Sequence, residues 1–411
     1  MNERFRQYGL GVPRILLPGP EVDPAKWAVV ACDQYTAQPE WWKQAEALVG
    51  SSPSTLKLIH PEYRLREGEP DARALHEAMR DALDHALTRA VDGFVLVERE
   101  TTQGARLGLV ANVDLEAYDY APDATPLIRA TEGTVVDRLP PRMAVRRKAP
   151  LDLTHVMLLA DDPGRTLIEP LYAARATLAP LYDFELMQGG GRLRGWAVGP
   201  ERFEQLLAAL EALHKAADGF LFAVGDGNHS LAAARGCWLE LREGLSEAER
   251  ANHPARYALV ELVNLYDEAL AFEPIHRAVF GVDGARLTHD FILYCRARGM
   301  SVVPCESERA QLYMLDEPLA IENASNPLAV AILQPFLDAW LKEHPEARID
   351  YIHGADVLER LAACRIRLMP MDKRALFPAV RAGGALPRKT FSMGEARDKR
   401  YYFECRSLTS G

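Results

Sequence analysis

Apolar residues recur with two periods along the chain. A period near two marks candidate strands, and one near 3.6 marks candidate helices. Residues 27–32 form a short buried-strand pattern that ends in the polar turn Asp33-Gln34-Tyr35-Thr36, and 40–49 has a helical pattern. Residues 71–90 are strongly amphipathic, with Leu75, Met79, Leu83 and Leu87 at helical spacing. Strands are expected at 93–98, 106–113 and 156–160, and a helix at 165–178. Two further strands, 181–188 and 193–198, flank Gly189-Gly190-Gly191 and predict a hairpin. Helical patterns follow at 201–217, 228–243, 287–298, 329–342, 355–361 and 373–380. Strand patterns fall at 220–224, 255–265, 311–314, 348–351, 365–369 and 401–405. Residues 131–149 break the pattern: polar, Arg-rich and punctuated by Pro140 and Pro141, they predict an irregular segment or lid.

This alternation predicts a mixed α/β (α+β) architecture with mixed sheets. Three regions are expected. Residues 1–150 form an N-terminal α/β region with an Arg-rich loop at 129–148. Residues 151–285 form the core, and 286–411 a C-terminal α/β region packing on it.

The densest chemistry lies at 220–235, where the apolar run Phe220-Leu221-Phe222-Ala223-Val224 meets Gly225-Asp226-Gly227-Asn228-His229-Ser230 and an Ala-rich helical segment starts at once. A strand-to-helix corner of this kind presents backbone N–H donors and the positive end of a helix dipole, a setting suited to phosphate. Gly225 and Gly227 let the backbone turn tightly and approach a ligand closely. Asp226 is placed to bind Mg²⁺ beside a phosphate or to take a proton from a hydroxyl, although an N-capping carboxylate would read the same way. His229 can donate to a phosphoryl oxygen or stand as an ordinary helix-start histidine. Ser230 can add an N–H and a hydroxyl, or be a helix-start residue only.

Three other clusters carry candidates. Arg129, Thr131, Glu132 and Arg142 fall in the Arg-rich segment, where guanidinium groups suit phosphate or carboxylate and Glu132 is a candidate base or metal ligand. A solvated charged loop has the same composition. His276 and Arg277 follow Pro274 in an expected turn, pocket-facing or merely superficial. Lys389 and Thr390 follow Pro387 in an expected loop, where Lys389 can neutralise a phosphate or simply sit in a connector.

Composition narrows the partners. The 411 residues carry a net charge of −10, which argues against duplex nucleic acid as the partner. No run approaches the ~20 apolar residues of a membrane span. The N-terminal residues lack the apolar core of a secretory signal. The cysteines at 32, 237, 295, 305, 364 and 405 form no CxxC pair. A cytoplasmic protein without disulfides is expected. P-loop, dinucleotide, HExxH and GxSxG signatures are absent.

At Asp226-Gly227-Asn228-His229 the chain resembles a widespread bacterial and archaeal family catalogued as a domain of unknown function, whose hallmark turn reads Asp-Gly-His-His-Arg. The likeness runs through blocks in order along nearly the whole chain: Ala31-Cys32-Asp33-Gln34-Tyr35-Thr36, Pro53-Ser54-Thr55-Leu56, Arg129-Ala130-Thr131-Glu132-Gly133-Thr134, Pro140-Pro141-Arg142, Glu273-Pro274-Ile275-His276-Arg277 and Pro387-Arg388-Lys389-Thr390-Phe391. Family genes are often linked to serine biosynthesis. The hallmark turn is similar to that of ParB/sulfiredoxin-like proteins, which include kinases of free serine. The resemblance therefore implies a ParB/sulfiredoxin-like core around 220–235. It also implies phosphoryl transfer from ATP or ADP, with Mg²⁺, to a small hydroxylated metabolite, free L-serine first among them. Two departures stand out. Asn228 replaces the first hallmark His, and Ser230 replaces the Arg, so another cation must serve: Arg129, Arg142, Arg277 or Lys389.

On this reading the N–H groups of Gly227, Asn228, His229 and Ser230 hold phosphate, and Asp226 binds the metal or orients the hydroxyl. His229 and Lys389 stabilise charge, Glu132 is the base, and Arg129 and Arg142 clamp the substrate. Thr131, His276, Arg277 and Thr390 complete the binding set. A phosphatase acting on phosphoserine and a non-catalytic nucleotide- or metabolite-binding regulator are the alternatives. Small-molecule substrate and nucleotide are the expected partners, with neither nucleic acid nor membrane, and a homodimer is the candidate assembly.

Overall fold

The computed structural model describes residues 2–409 apart from 37, 67, 122, 123 and 362. The chain divides into two compact units. The first comprises Met1–Ala130, Thr134–Leu270 and Gly394–Gly411, and the second Thr131–Gly133 and Ala271–Met393.

The first unit is built on a ten-stranded sheet among the described residues. Its strands are β1 (Leu10–Gly11), β2 (Phe94–Thr101), β3 (Gly104–Asp114), β4 (Tyr118–Asp119), β5 (Ile128–Ala130), β6 (Val156–Ala160), β7 (Pro180–Glu185), β8 (Arg192–Val198), β9 (Phe222–Asp226) and β10 (Tyr257–Asn264). Their order is β7-β8-β2-β3-β10-β6-β9-β5-β4, with β1 on β3. β6 pairs parallel with β10 and antiparallel with β9, whereas β9 and β5 run parallel, so the sheet is mixed as expected. The alternation in β2 sends Phe94 and Leu96 into one apolar cluster and Val95 and Val97 into another. Both faces of the sheet are therefore covered, and central strands read as continuous apolar runs. The helix Phe203–Ala216 packs its buried residues into the first cluster, as do Leu231, Ala234 and Trp238 of the helix Asn228–Arg242, and Trp42 and Met79 enter the second.

The second unit carries a seven-stranded antiparallel sheet among the described residues. Its longest strand, Phe272–Phe280, pairs with the edge strand Arg348–His353 on one side and Cys364–Leu368 on the other. The helices Gly284–Arg296 and Ala329–Glu343 meet through the Phe291 and Phe336 rings, 5.2 Å apart.

Several local expectations are corrected. The amphipathic pattern over 71–90 holds an α-helix only over Ala72–Asp81, continues as a π-helical turn over Ala82–Ala86, and gives way to a strand at Arg89–Asp92. The segment expected to be irregular contains the helix Leu139–Arg146, because Pro140 and Pro141 fall in its first turn, where proline's missing N–H costs nothing. The turn expected around Pro274 is instead the start of the Phe272–Phe280 strand. No described helix is long and apolar enough to cross a membrane.

Candidate functional site

β9 ends at Asp226, and Gly227 adopts φ +80° and ψ 26°, the left-handed conformation that β-carbon-bearing residues avoid. A β-carbon there would lie 3.0 Å from Val156 Cγ2 and 3.1 Å from Val156 Cα. The helix Asn228–Arg242 starts immediately, and no side chain caps it, since its N-cap is Gly227. The corner expected from the sequence is thus formed.

Asp226 is held from two sides. Its Oδ1 accepts from the Gly227 N–H at 3.0 Å, and its Oδ2 lies 3.4 Å from Lys399 Nζ, with the two side chains 19% and 13% exposed. The Asn228 Oδ1 is buried and has no hydrogen-bond partner among the described residues. His229 Nε2 accepts from the Val135 N–H at 3.2 Å, which puts the proton of the neutral ring on Nδ1.

Ser230 lines a cavity of about 160 Å³ within the first unit. Apolar residues such as Leu58, Met79 and Leu151 form much of its wall, and Cys32, His155, Tyr402, Arg142 and Glu62 supply its polar edge. Arg142, expected as a substrate clamp, ion-pairs with Glu62 and donates to the Arg138 carbonyl at 2.9 Å. Arg129 lies in β5 beside β9, its guanidinium 4.5 Å from the Phe220 ring centre and its Nε donating to the Pro126 carbonyl.

Burial pushes the Cys32 thiol up to about 11, with the Asp33 carboxylate adding to the rise, so it is protonated at neutral pH. Burial likewise raises the Tyr402 phenol well above its usual value. The His155 imidazole is lowered below 6.5 by burial, against the opposing pull of Asp33 and Asp226.

The remaining expected residues belong to the second unit. Glu132 bridges in parallel to Leu386, and the Thr131 carbonyl accepts from the Leu386 N–H at 2.7 Å. His276 and Arg277 are buried in the Phe272–Phe280 strand. Burial and the nearby Arg367, Arg277 and His353 lower the His276 imidazole to about 4, and its Nδ1 accepts from the Leu368 N–H. Arg277 Nε donates to Gln334 Oε1 at 2.9 Å, and its Nη1 to the Ile275 and Lys389 carbonyls. Arg277 thereby holds the main chain at Lys389, an exposed residue with φ +62°. Thr390 Oγ1 donates to the Pro387 carbonyl at 2.6 Å.

Lys399, His155, Asp33, Glu62 and Tyr402 are the residues of this site that sequence reasoning missed. Lys399 and Tyr402 come from the C-terminal segment, more than a hundred residues from Asp226, so no local spacing announces them. His155 left one signal, a histidine directly before the apolar run of β6.

No curated protein matches this chain. Among solved structures it is similar to a free serine kinase in complex with AMP (10% identity, TM-score 0.38), covering 73% of this chain and 92% of that one. It is also similar to a conserved hypothetical protein from Pyrococcus furiosus (13% identity, TM-score 0.35, covering 73% and 95%). A third likeness is to C-terminally truncated SbnI from Staphylococcus aureus (10% identity, TM-score 0.35, covering 74% and 83%). The profile of the family described as "Protein of unknown function (DUF1015)" matches residues 16–339, and the chain belongs to that family.

Proposed function

We propose that the first unit transfers a phosphoryl group from ATP or ADP to the hydroxyl of a small metabolite, with free L-serine as the acceptor. The carrying observation is the corner itself: a 15-residue helix that no side chain caps, entered through left-handed Gly227 and flanked by the Asp226–Lys399 pair. Phosphoryl transfer asks little covalent chemistry of a protein; positioning and charge neutralisation dominate. The helix start offers N–H groups and a positive dipole end to the phosphates. Lys399 supplies the cation that Ser230 does not, beside the carboxylate that orients the acceptor. The orphaned Asn228 Oδ1 is an acceptor available to a donor on the substrate, since buried polar atoms are rarely left unpaired. The choice of L-serine follows the family resemblance noted from the sequence, and a cavity of about 160 Å³ suits a small metabolite.

The residues do not build a metal cage. Both Asp226 oxygens are engaged, and among the described residues no three His, Cys, Asp or Glu side chains are grouped to hold an ion. Mg²⁺ in this reaction would arrive on the nucleotide phosphates, as it commonly does, and would neutralise their charge.

Product analysis tests the proposal. The protein is incubated with L-serine, Mg²⁺ and either ATP or ADP, and in parallel with phosphoserine alone. Phosphoserine formed only when nucleotide is present is the expected result. Phosphate released from phosphoserine without nucleotide would replace the kinase reading with a phosphatase.

A further inference from the structure

The antiparallel pairing of β6 with β9 sets Met157 opposite Asp226. The chain preceding β6 therefore runs on beyond the end of β9, alongside the turn into the helix. Val156 is the residue a β-carbon at Gly227 would strike, so His155, one position further, is delivered beside the corner. There it lines the same cavity as Ser230. Its ring packs edge-on against Tyr402, with centroids 5.1 Å apart and planes at 61°. That contact fixes the ring without engaging its nitrogens, which have no hydrogen-bond partner among the described residues. An imidazole placed by aromatic packing, with unengaged nitrogens at a cavity wall beside a phosphate-type corner, is arranged to meet a ligand.

We infer that His155 is the general base of the proposed transfer, accepting the proton of the acceptor hydroxyl. The inference rests on the phosphoryl-transfer reading. As the hydroxyl oxygen forms its bond to the terminal phosphorus, the bond from that phosphorus to the bridging oxygen of the nucleotide breaks. The shortened nucleotide leaves with the electron pair, the hydroxyl proton passes to a His155 ring nitrogen, and water later removes it.

The surroundings suit this role. Asp33, Asp226 and Asp152 favour the imidazolium that forms, and Arg142 opposes it. Burial prevails and keeps the resting ring neutral at pH 7, ready to take a proton. Of the other titratable groups lining this cavity, Cys32 and Tyr402 are held protonated by burial, Glu62 is ion-paired with Arg142 and Asp152 with Arg146, and His60 lines the wall as well. The base works deprotonated, and burial lowers its pKa from the ordinary imidazole value, so activity is present at neutral pH and is lost on the acid side.

The test compares wild type with His155→Asn and His155→Ala in the phosphoserine-forming assay across pH. The expected result is a kcat at least ~100-fold lower with nucleotide KM changed by less than about threefold. The acid limb of the pH profile disappears in both variants, and added imidazole partly restores His155→Ala. Nucleotide-induced thermal stabilisation of each variant shows that the fold and binding survive. If the wild type makes phosphoserine and a nucleotide-binding variant keeps its kcat or its acid limb, this assignment alone is overturned. If the wild type makes none with either nucleotide, the phosphoryl-transfer reading falls and takes the assignment with it.

Discussion

Gly227 is the residue on which the corner depends. Its positive φ lets β9 turn into the helix within one residue, and the missing β-carbon leaves room for the Val156 main chain, which cannot swing away as a side-chain tip would. Gly227→Ala should destabilise the protein by about 1–3 kcal/mol, the cost of a left-handed non-glycine residue together with displacement of β6. Urea unfolding measures this, and an unchanged midpoint would show that the turn does not need glycine. The glycine, Asp226, Asn228, His229 and Ser230 were all legible in the sequence, because a strand end, a turn and a helix start are local patterns. Lys399 and His155 were not. Each reaches the corner through sheet pairing or a chain return, and neither pairing register nor chain return is written in a local window.

At the scale of elements, the site depends on the returning C-terminal segment. Tyr401–Tyr402 pairs with Val29–Val30, and Cys405–Ser407 with Leu151–Leu153. Immediately before the first of these strands, Arg400, 2% exposed, ion-pairs at 2.6 Å with Glu261, which is fully buried in β10, and also with Glu404. Gly108 on the neighbouring strand makes room for this pair, since a β-carbon there would fall 2.2 Å from Glu261 Oε1. Arg400 lies next to Lys399 and two residues before Tyr402, so this cluster holds the segment that delivers both.

Glu261→Gln removes one of the two carboxylates that ion-pair with buried Arg400 and leaves Glu404 as the remaining one, so it should cost about 3 kcal/mol, the low end for breaking a buried pair. Amide hydrogen exchange over 399–407 should accelerate in this variant, and exchange unchanged there would show that the segment is held by its strand pairings alone. The elements that sequence misread share a cause. Prolines at 140, 141 and 274 signal interruption in a local reading, yet a first helical turn and a strand beginning both accept them. The helical period over 71–90 outlasts the α-helix because the π turn buries Ala82 and Ala86 and Leu87 follows them into the core.

At the scale of the whole molecule, the expected site residues are shared between two units. In the first, Asp226 to Ser230 meet a lysine, a histidine and a small cavity. In the second, His276 and Arg277 are buried in the Phe272–Phe280 strand, where Arg277 ties down the Lys389 main chain. A low-pKa buried histidine that accepts a backbone N–H is a structural part of that sheet. The mixed α/β class was readable from the alternation of periods, whereas the division into units was not, because each is assembled from separate stretches of chain. The claim that matters most is that chemistry takes place at the Asp226 corner of the first unit. The direct measurement is transfer of labelled phosphoryl from nucleotide to L-serine by wild type and by Asp226→Asn, with nucleotide binding by both verified from thermal stabilisation. The account predicts labelled phosphoserine from the wild type and a rate at least ~100-fold lower from the variant. Equal rates in the two proteins, or no transfer by a wild type that binds nucleotide, would contradict it.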